Sequence, residues 1–143
     1  MIARSVVLAC PLERAFVLFT AQIGAWWPPE RRHTGDPNSQ IYLLESGRFF
    51  ERSESGVEVE LGAVVRWEAP TQLVLDWYPG TSREQPTRVE VRFASVADGT
   101  RLTIEHSATA ESEALFPSRA AKYQASWALV LEALERAAAL DNG

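Results

Sequence analysis

The stretch Gly47–Trp77, GRFFERSESGVEVELGAVVRWEAPTQLVLDW, decides the fold. Two turn signals, Ser53-Glu54-Ser55-Gly56 and Glu68-Ala69-Pro70-Thr71, divide it into three runs. Within the runs the apolar residues fall on odd positions: Phe49; then Val57, Val59, Leu61, Ala63, Val65 and Trp67; then Leu73, Leu75 and Trp77. Alternation with period two predicts strands that bury one face and wet the other, as in an antiparallel sheet. Glu58, Glu60 and Arg66 fall on the wet side. One acid, Glu51, shares the buried face with Phe49, so the inner surface carries a polar group.

Downstream, Thr87, Val89, Val91 and Phe93 alternate with Arg88, Glu90 and Arg92. Asp98-Gly99 is a hairpin signal, and the return strand sets Leu102, Ile104 and His106 on one face. Pro117 can open a helix running to about Leu140, with a buried stripe of Tyr123, Trp127, Val130 or Leu131, and Leu134. Upstream, Ile2 to Ala9 reads as a strand with Ile2, Val6 and Leu8 on one face. Pro11 suits a first helical position, and Leu12, Phe16, Phe19, Ile23 and Trp26 or Trp27 follow at helical spacing. A break is expected near Gly24 and a stop at Pro28-Pro29. Arg31 to Gln40 and Pro79 to Pro86 read as loops, and Ile41 to Glu45 as a short strand. The order is strand, one or two short helices, six strands, long helix, which is an α+β arrangement. The aromatic stripe of the last helix must be covered, and the antiparallel sheet is the surface that can cover it. The expected architecture is a helix grip, a curved sheet wrapped around the C-terminal helix.

Composition narrows the function. A length of 143 residues fits a single domain, 1–143. The net charge of −5, with arginines interspersed among acids, argues against a nucleic-acid partner. The single cysteine, Cys10, excludes an internal disulfide and sets no demand for an oxidising compartment. Val7-Leu8-Ala9-Cys10 has the look of a lipoprotein cleavage box. The apolar run before it, Val6 to Ala9, is too short for a signal segment, and no run reaches the length of a membrane span. The expected location is the cytoplasm. Two histidines 73 positions apart and one cysteine give no metal-ligand spacing, so no metal and no cofactor is expected. Nucleotide-binding and serine-hydrolase motifs do not occur.

The chain resembles the SRPBCC (START-like, Bet v-like) superfamily, in the branch named after the activator of heat shock protein 90 ATPase. The resemblance rests on Trp26-Trp27-Pro28, Ser46-Gly47-Arg48-Phe49, Glu51, Gly56, Gly62-Ala63-Val64 and Trp67-Glu68-Ala69-Pro70. It continues through Leu73 to Trp77, Val89-Glu90-Val91-Arg92-Phe93, Asp98-Gly99-Thr100, Glu105-His106 and Ser126-Trp127. Departures are Ser46-Gly47 for Gly-Gly, Ala69-Pro70 for Pro-Pro, and Ser126-Trp127 for Gly-Trp. The resemblance implies a cavity between sheet and long helix that takes an apolar or amphipathic small molecule. A cyclase-like acid–base enzyme and a chaperone-binding module are the alternatives, and a homodimer stays open.

The expected ligand-binding residues are Trp27, Phe49, Glu51, Trp77, Val91, His106, Tyr123 and Trp127. The aromatic members either line a cavity or fill it, since interiors pack densely. His106 is either a buried neutral histidine or a ligand contact and general base. Glu51 needs a donor, with Arg48, His106 and Tyr123 as candidates, because a bare buried carboxylate is costly. In an enzyme, His106 would be the base and Glu51 would orient it. His33 sits in the polar loop, exposed or on a lid.

Overall fold

The structure is a computed structural model that describes residues 1–141, the last by its backbone alone. Residues 142–143 of the expected domain lie outside the described residues. Seven antiparallel strands form one curled sheet in the order β1-β7-β6-β5-β4-β3-β2. They are β1 (Ile2–Leu8), β2 (Gln40–Leu43), β3 (Arg48–Arg52), β4 (Glu58–Glu68), β5 (Gln72–Trp77), β6 (Thr87–Val96) and β7 (Gly99–Ala108). Two short helices, α1 (Leu12–Phe19) and α2 (Ile23–Trp26), carry the chain from β1 at one edge to β2 at the other. The long helix α3 (Phe116–Asp141) lies against the inner face. The helix grip read from the sequence is the architecture found.

The inner face is built as the alternation requires. Val89, Val91 and Phe93 of β6 are buried, as are Leu102, Ile104 and His106 of β7. They meet Tyr123, Trp127, Val130, Leu131 and Leu134 of α3 in one hydrophobic core. The opposite face is wet and ionic. Arg48 and Arg52 bridge to Glu58 and Glu60, and Arg92 joins Glu90 to Glu105.

In β4 the strict odd phase fails, and the reason is local. Phe49 pairs with Gly62 but Phe50 pairs with Glu60, so Leu61 is an extra residue. Val64 pairs with Leu75 but Arg66 pairs with Val74, so Val65 is a second extra residue. A bulge sets two residues of one strand opposite one of its partner. Leu61 and Gly62 thus share the inner face, and Val65 and Arg66 share the outer. Ala63 and Val65 therefore do not join the buried row, and Val65 is 51% exposed. Val57 lies outside the strand, 59% exposed. Val59, Val64 and Trp67 pack on the core.

Other boundaries shift slightly. Pro11 is the cap preceding α1, and the break between the short helices falls at Thr20–Gln22, leaving Gly24 inside α2. The strand expected over Ile41–Glu45 runs Gln40–Leu43.

Candidate functional site

A cleft of about 580 Å³ opens between α3, the segment after α2 and the loop after β5. Trp27, Trp77, Tyr123, Trp127 and Val130 form its apolar surface. The indoles touch in sequence: Trp27 to Trp77 at 6.1 Å and Trp77 to Trp127 at 5.2 Å between ring centroids. Each comes from a different element, which is why no short motif announces the site. Trp27 follows α2, Trp77 ends β5, and Tyr123 and Trp127 sit four apart on one face of α3.

Each wall is tied down by side-chain hydrogen bonds. Tyr123 donates its hydroxyl to the Pro79 carbonyl at 2.9 Å, and Arg119 Nε donates to the Gly80 carbonyl at 2.7 Å. Gly80 has φ +83°, and a Cβ there would lie 2.7 Å from the Tyr123 hydroxyl. Glycine is required on both counts. On the other wall, Trp27 Nε1 donates to the Arg31 carbonyl at 3.2 Å. Arg32 donates to the carbonyls of Gly24, Trp27 and Ser39 and to the Ser39 hydroxyl.

His106 lies behind this surface. Its ring centroid is 4.2 Å from that of Tyr123, and it is fully buried. Trp127 Nε1 donates to His106 Nδ1 at 3.0 Å, so the ring proton of a neutral imidazole belongs on Nε2. Nε2 then donates to Thr87 Oγ1 at 2.8 Å, and Thr87 donates onward to the Trp77 carbonyl at 3.2 Å. Burial, with a smaller repulsion from the chain's amino terminus, pushes the His106 pKa down to about 3. The imidazole is neutral near pH 7, and its role is positional: it fixes the tilt of Trp127.

Glu51 is fully buried as well, but its donors are not those expected. His33 N donates to Oε1 at 2.7 Å, and Thr34 donates to Oε2 from its amide at 2.9 Å and from its hydroxyl at 2.6 Å. Burial raises the Glu51 pKa, but the bonds from the Thr34 hydroxyl, the two amides and Ser39 outweigh it and hold the carboxyl below its ordinary value. Glu51 is therefore an ionised anchor for the loop that carries His33. Neither Arg48, His106 nor Tyr123 reaches it; Arg48 is engaged on the outer face.

Of the eight residues expected to touch a ligand, Trp27, Trp77, Tyr123 and Trp127 line the cleft. Phe49, Glu51, Val91 and His106 do not. Phe49 fills space behind Trp77, 5.3 Å between rings, and Val91 is buried in the sheet. An acid–base pair of His106 and Glu51 is not assembled, since each has its own separate partners. Alternation reports which face a residue occupies, not whether another side chain stands in front of it. The loop residues Glu30, Arg31 and Arg32 and the helix residue Lys122 also border the cleft without being among the expected residues, and His33 borders it from the loop expected to be exposed or a lid. Nothing in an irregular loop or an exposed helical lysine marks it from sequence alone. Among the described residues no three His, Cys, Asp or Glu side chains converge to hold a metal ion. None of the helices described is long and apolar enough to cross a membrane.

A curled antiparallel sheet closed by a long C-terminal helix is the helix-grip fold, of the SRPBCC type. The family described as activator of Hsp90 ATPase homolog 1-like protein matches residues 9–139, so the chain belongs to that family. No curated protein matches it by sequence. Among solved structures it is similar to CalC of Micromonospora echinospora, described as a self-sacrificing resistance protein. The TM-score is 0.73 at 21% identity, over 99% of this chain and 96% of that one. It is also similar to an AHSA1-like protein from Aeromonas hydrophila, with TM-score 0.62 and 22% identity over 94% and 89% of the two chains. A protein from Nitrosomonas europaea gives TM-score 0.67 and 14% identity over 98% and 94%. At these identities the likeness is one of fold.

Proposed function

We propose that the chain, acting as one domain in the cytoplasm, binds an apolar or amphipathic small molecule in the cleft between the sheet and α3. The observation that carries this reading is the continuous aromatic surface of Trp27, Trp77, Tyr123 and Trp127 facing a space of about 580 Å³. Ligand sites for small molecules run from about 300 to 1,000 Å³ and are lined mainly by apolar and aromatic groups. The hydrogen bonds that hold Trp127 and Tyr123 in place support a preformed site, since a fixed surface binds without first being ordered. CalC, described as a self-sacrificing resistance protein, shares this fold.

The enzymatic alternative loses its expected pair, because His106 and Glu51 are each committed to other partners. A chaperone role has the family description in its favour and no observation at the cleft.

The test is native mass spectrometry of protein purified from its own host, with tryptophan fluorescence titration against apolar probes. A co-purifying small molecule, or saturable quenching at micromolar probe, is the expected result. Ser126→Trp places an indole in the cleft from α3 and should abolish that binding with urea stability changed by less than about 0.5 kcal/mol, as for a surface site. Absence of saturable binding by any apolar probe, or undiminished binding by the Ser126→Trp variant, overturns the proposal.

A further inference from the structure

The cleft has an electrostatic signature that its aromatic surface does not require. Its polar rim brings three cations, Arg31, Arg32 and Lys122, against one carboxylate, Glu30, in a chain whose net charge is −5. Among the described residues, five of the six arginines on the outer sheet face are paired with a carboxylate, Arg101 being the exception. Arg48, Arg52, Arg66, Arg88 and Arg92 are each bridged to a carboxylate within 4 Å. At the cleft this pairing is missing. Arg31 and Lys122 have no carboxylate partner among the described residues, although Glu30 adjoins Arg31 in sequence and lines the same space. Arg31 Nε is moreover buried without a hydrogen-bond acceptor, a state shared among the described residues only by Arg4 Nε on β1, which does not border the cleft.

Burying a guanidinium N–H without an acceptor is costly. Arg32 next door shows the ordinary solution, four bonds to carbonyl and hydroxyl oxygens. Arg31 stands half-buried beside Trp27, whose indole is bonded to the Arg31 carbonyl, so its backbone is fixed while its donors stay unspent. Lys122 enters from α3, a separate wall. A planar fork and a point cation on two walls of one apolar space form a receptor for an oxyanion attached to an apolar body.

We infer that the cleft selects amphipathic anions: molecules with an apolar or aromatic body on the tryptophans and a carboxylate, or another oxyanion of that size, held by Arg31 and Lys122. This rests on the reading of the cleft as a ligand site and adds the charge of the ligand to it.

The experiment compares matched probes by calorimetry and tryptophan fluorescence at pH 7 and low salt: decanoate against decanol, and 2-naphthoate against 2-naphthylmethanol. The acid is expected to bind at least about tenfold tighter than its alcohol, the ratio one charge-assisted hydrogen bond supplies. That ratio should fall toward one in the Arg31→Gln/Lys122→Gln variant and with added salt, which screens charge. It should persist in Arg66→Gln, whose partner is Glu68 on the outer face. Equal binding of acid and alcohol overturns the charge assignment and leaves the cleft as a neutral site. A ratio above tenfold that survives the double substitution also overturns it, by placing the anion elsewhere. If no member of either pair binds, the site reading fails and the inference falls with it.

Discussion

Replacing Glu51 by glutamine tests the anchor that shapes one wall of the cleft. The carboxylate accepts from His33 N on one oxygen and from both Thr34 donors on the other. Glutamine has the same shape but a single acceptor oxygen. Its best orientation keeps the carbonyl on Thr34 and turns an NH₂ group toward the His33 amide, donor facing donor. One charged hydrogen bond is lost and a donor is stranded, at about 1.5–3 kcal/mol. Glu51→Ala strands all three donors and should lose about 3–5 kcal/mol, since each buried donor left unsatisfied costs about 1–3 kcal/mol. Urea unfolding gives the stability, and amide hydrogen exchange at His33 and Thr34 gives the location. The pH dependence supplies an independent sign. The folded pKa of Glu51 lies below its ordinary 4.5, so the ionised anchor stabilises the fold above that value and is lost as pH falls through the folded pKa. Glu51→Gln should therefore remove part of the acid-induced loss of stability below pH 4.5 and leave the slope above it intact. A change under about 0.5 kcal/mol, with exchange at His33 and Thr34 unaltered, would refute the anchor.

Nitrogen-detected NMR of the imidazoles should find His106 neutral, with its proton on Nε2, from pH 8 down to pH 4; titration near 6.5 would contradict the buried network. Because the unfolded chain takes up a proton that folded His106 refuses, this residue should steepen the stability curve by up to about 1.4 kcal/mol per pH unit between pH 6.5 and about 3, stability falling as pH falls. His106→Leu leaves Trp127 Nε1 without its acceptor and should cost about 1–3 kcal/mol in urea unfolding, with a shifted near-ultraviolet tryptophan signal. Gly62→Ala builds a Cβ 2.2 Å from the Asp76 carbonyl, so β4 and β5 must part, and a loss of about 3 kcal/mol or failure to fold is expected on expression and thermal melting.

Elements whose signal is local were legible. Alternation in β6 and β7 and the stripe of α3 placed Val91, His106, Tyr123 and Trp127 on their buried faces. The family signature added the way these faces come together, and the matched span agrees with it. What the chain concealed is of two kinds. Glu51 reads as a buried acid, but two of its donors are main-chain amides of a loop 17 and 18 positions away, which every residue type but proline carries, and the third is the Thr34 hydroxyl of the same loop. Depth was the other hidden quantity. Phe49 and His106 share the inner face with Trp77, yet only Trp77 borders the cleft, because ring size and tilt decide which side chain stands in front.

The two extra residues of β4 act in opposition. Leu61 moves the inward set from odd to even positions, and Val65 moves it back, so Val59 and Trp67 agree in phase across an interior that does not. Deleting Leu61 alone would leave Glu60 opposite Phe50 and Gly62 opposite Phe49, with every remaining side chain on its present face, and deleting Val65 alone would do the same for Val64 and Arg66. Deleting both leaves one regular strand whose inner row, Val59, Gly62, Val64 and Trp67, lacks only Leu61. Length variation in this strand should thus be tolerated one residue at a time, so gaps among relatives would be single and fall at Leu61 or Val65.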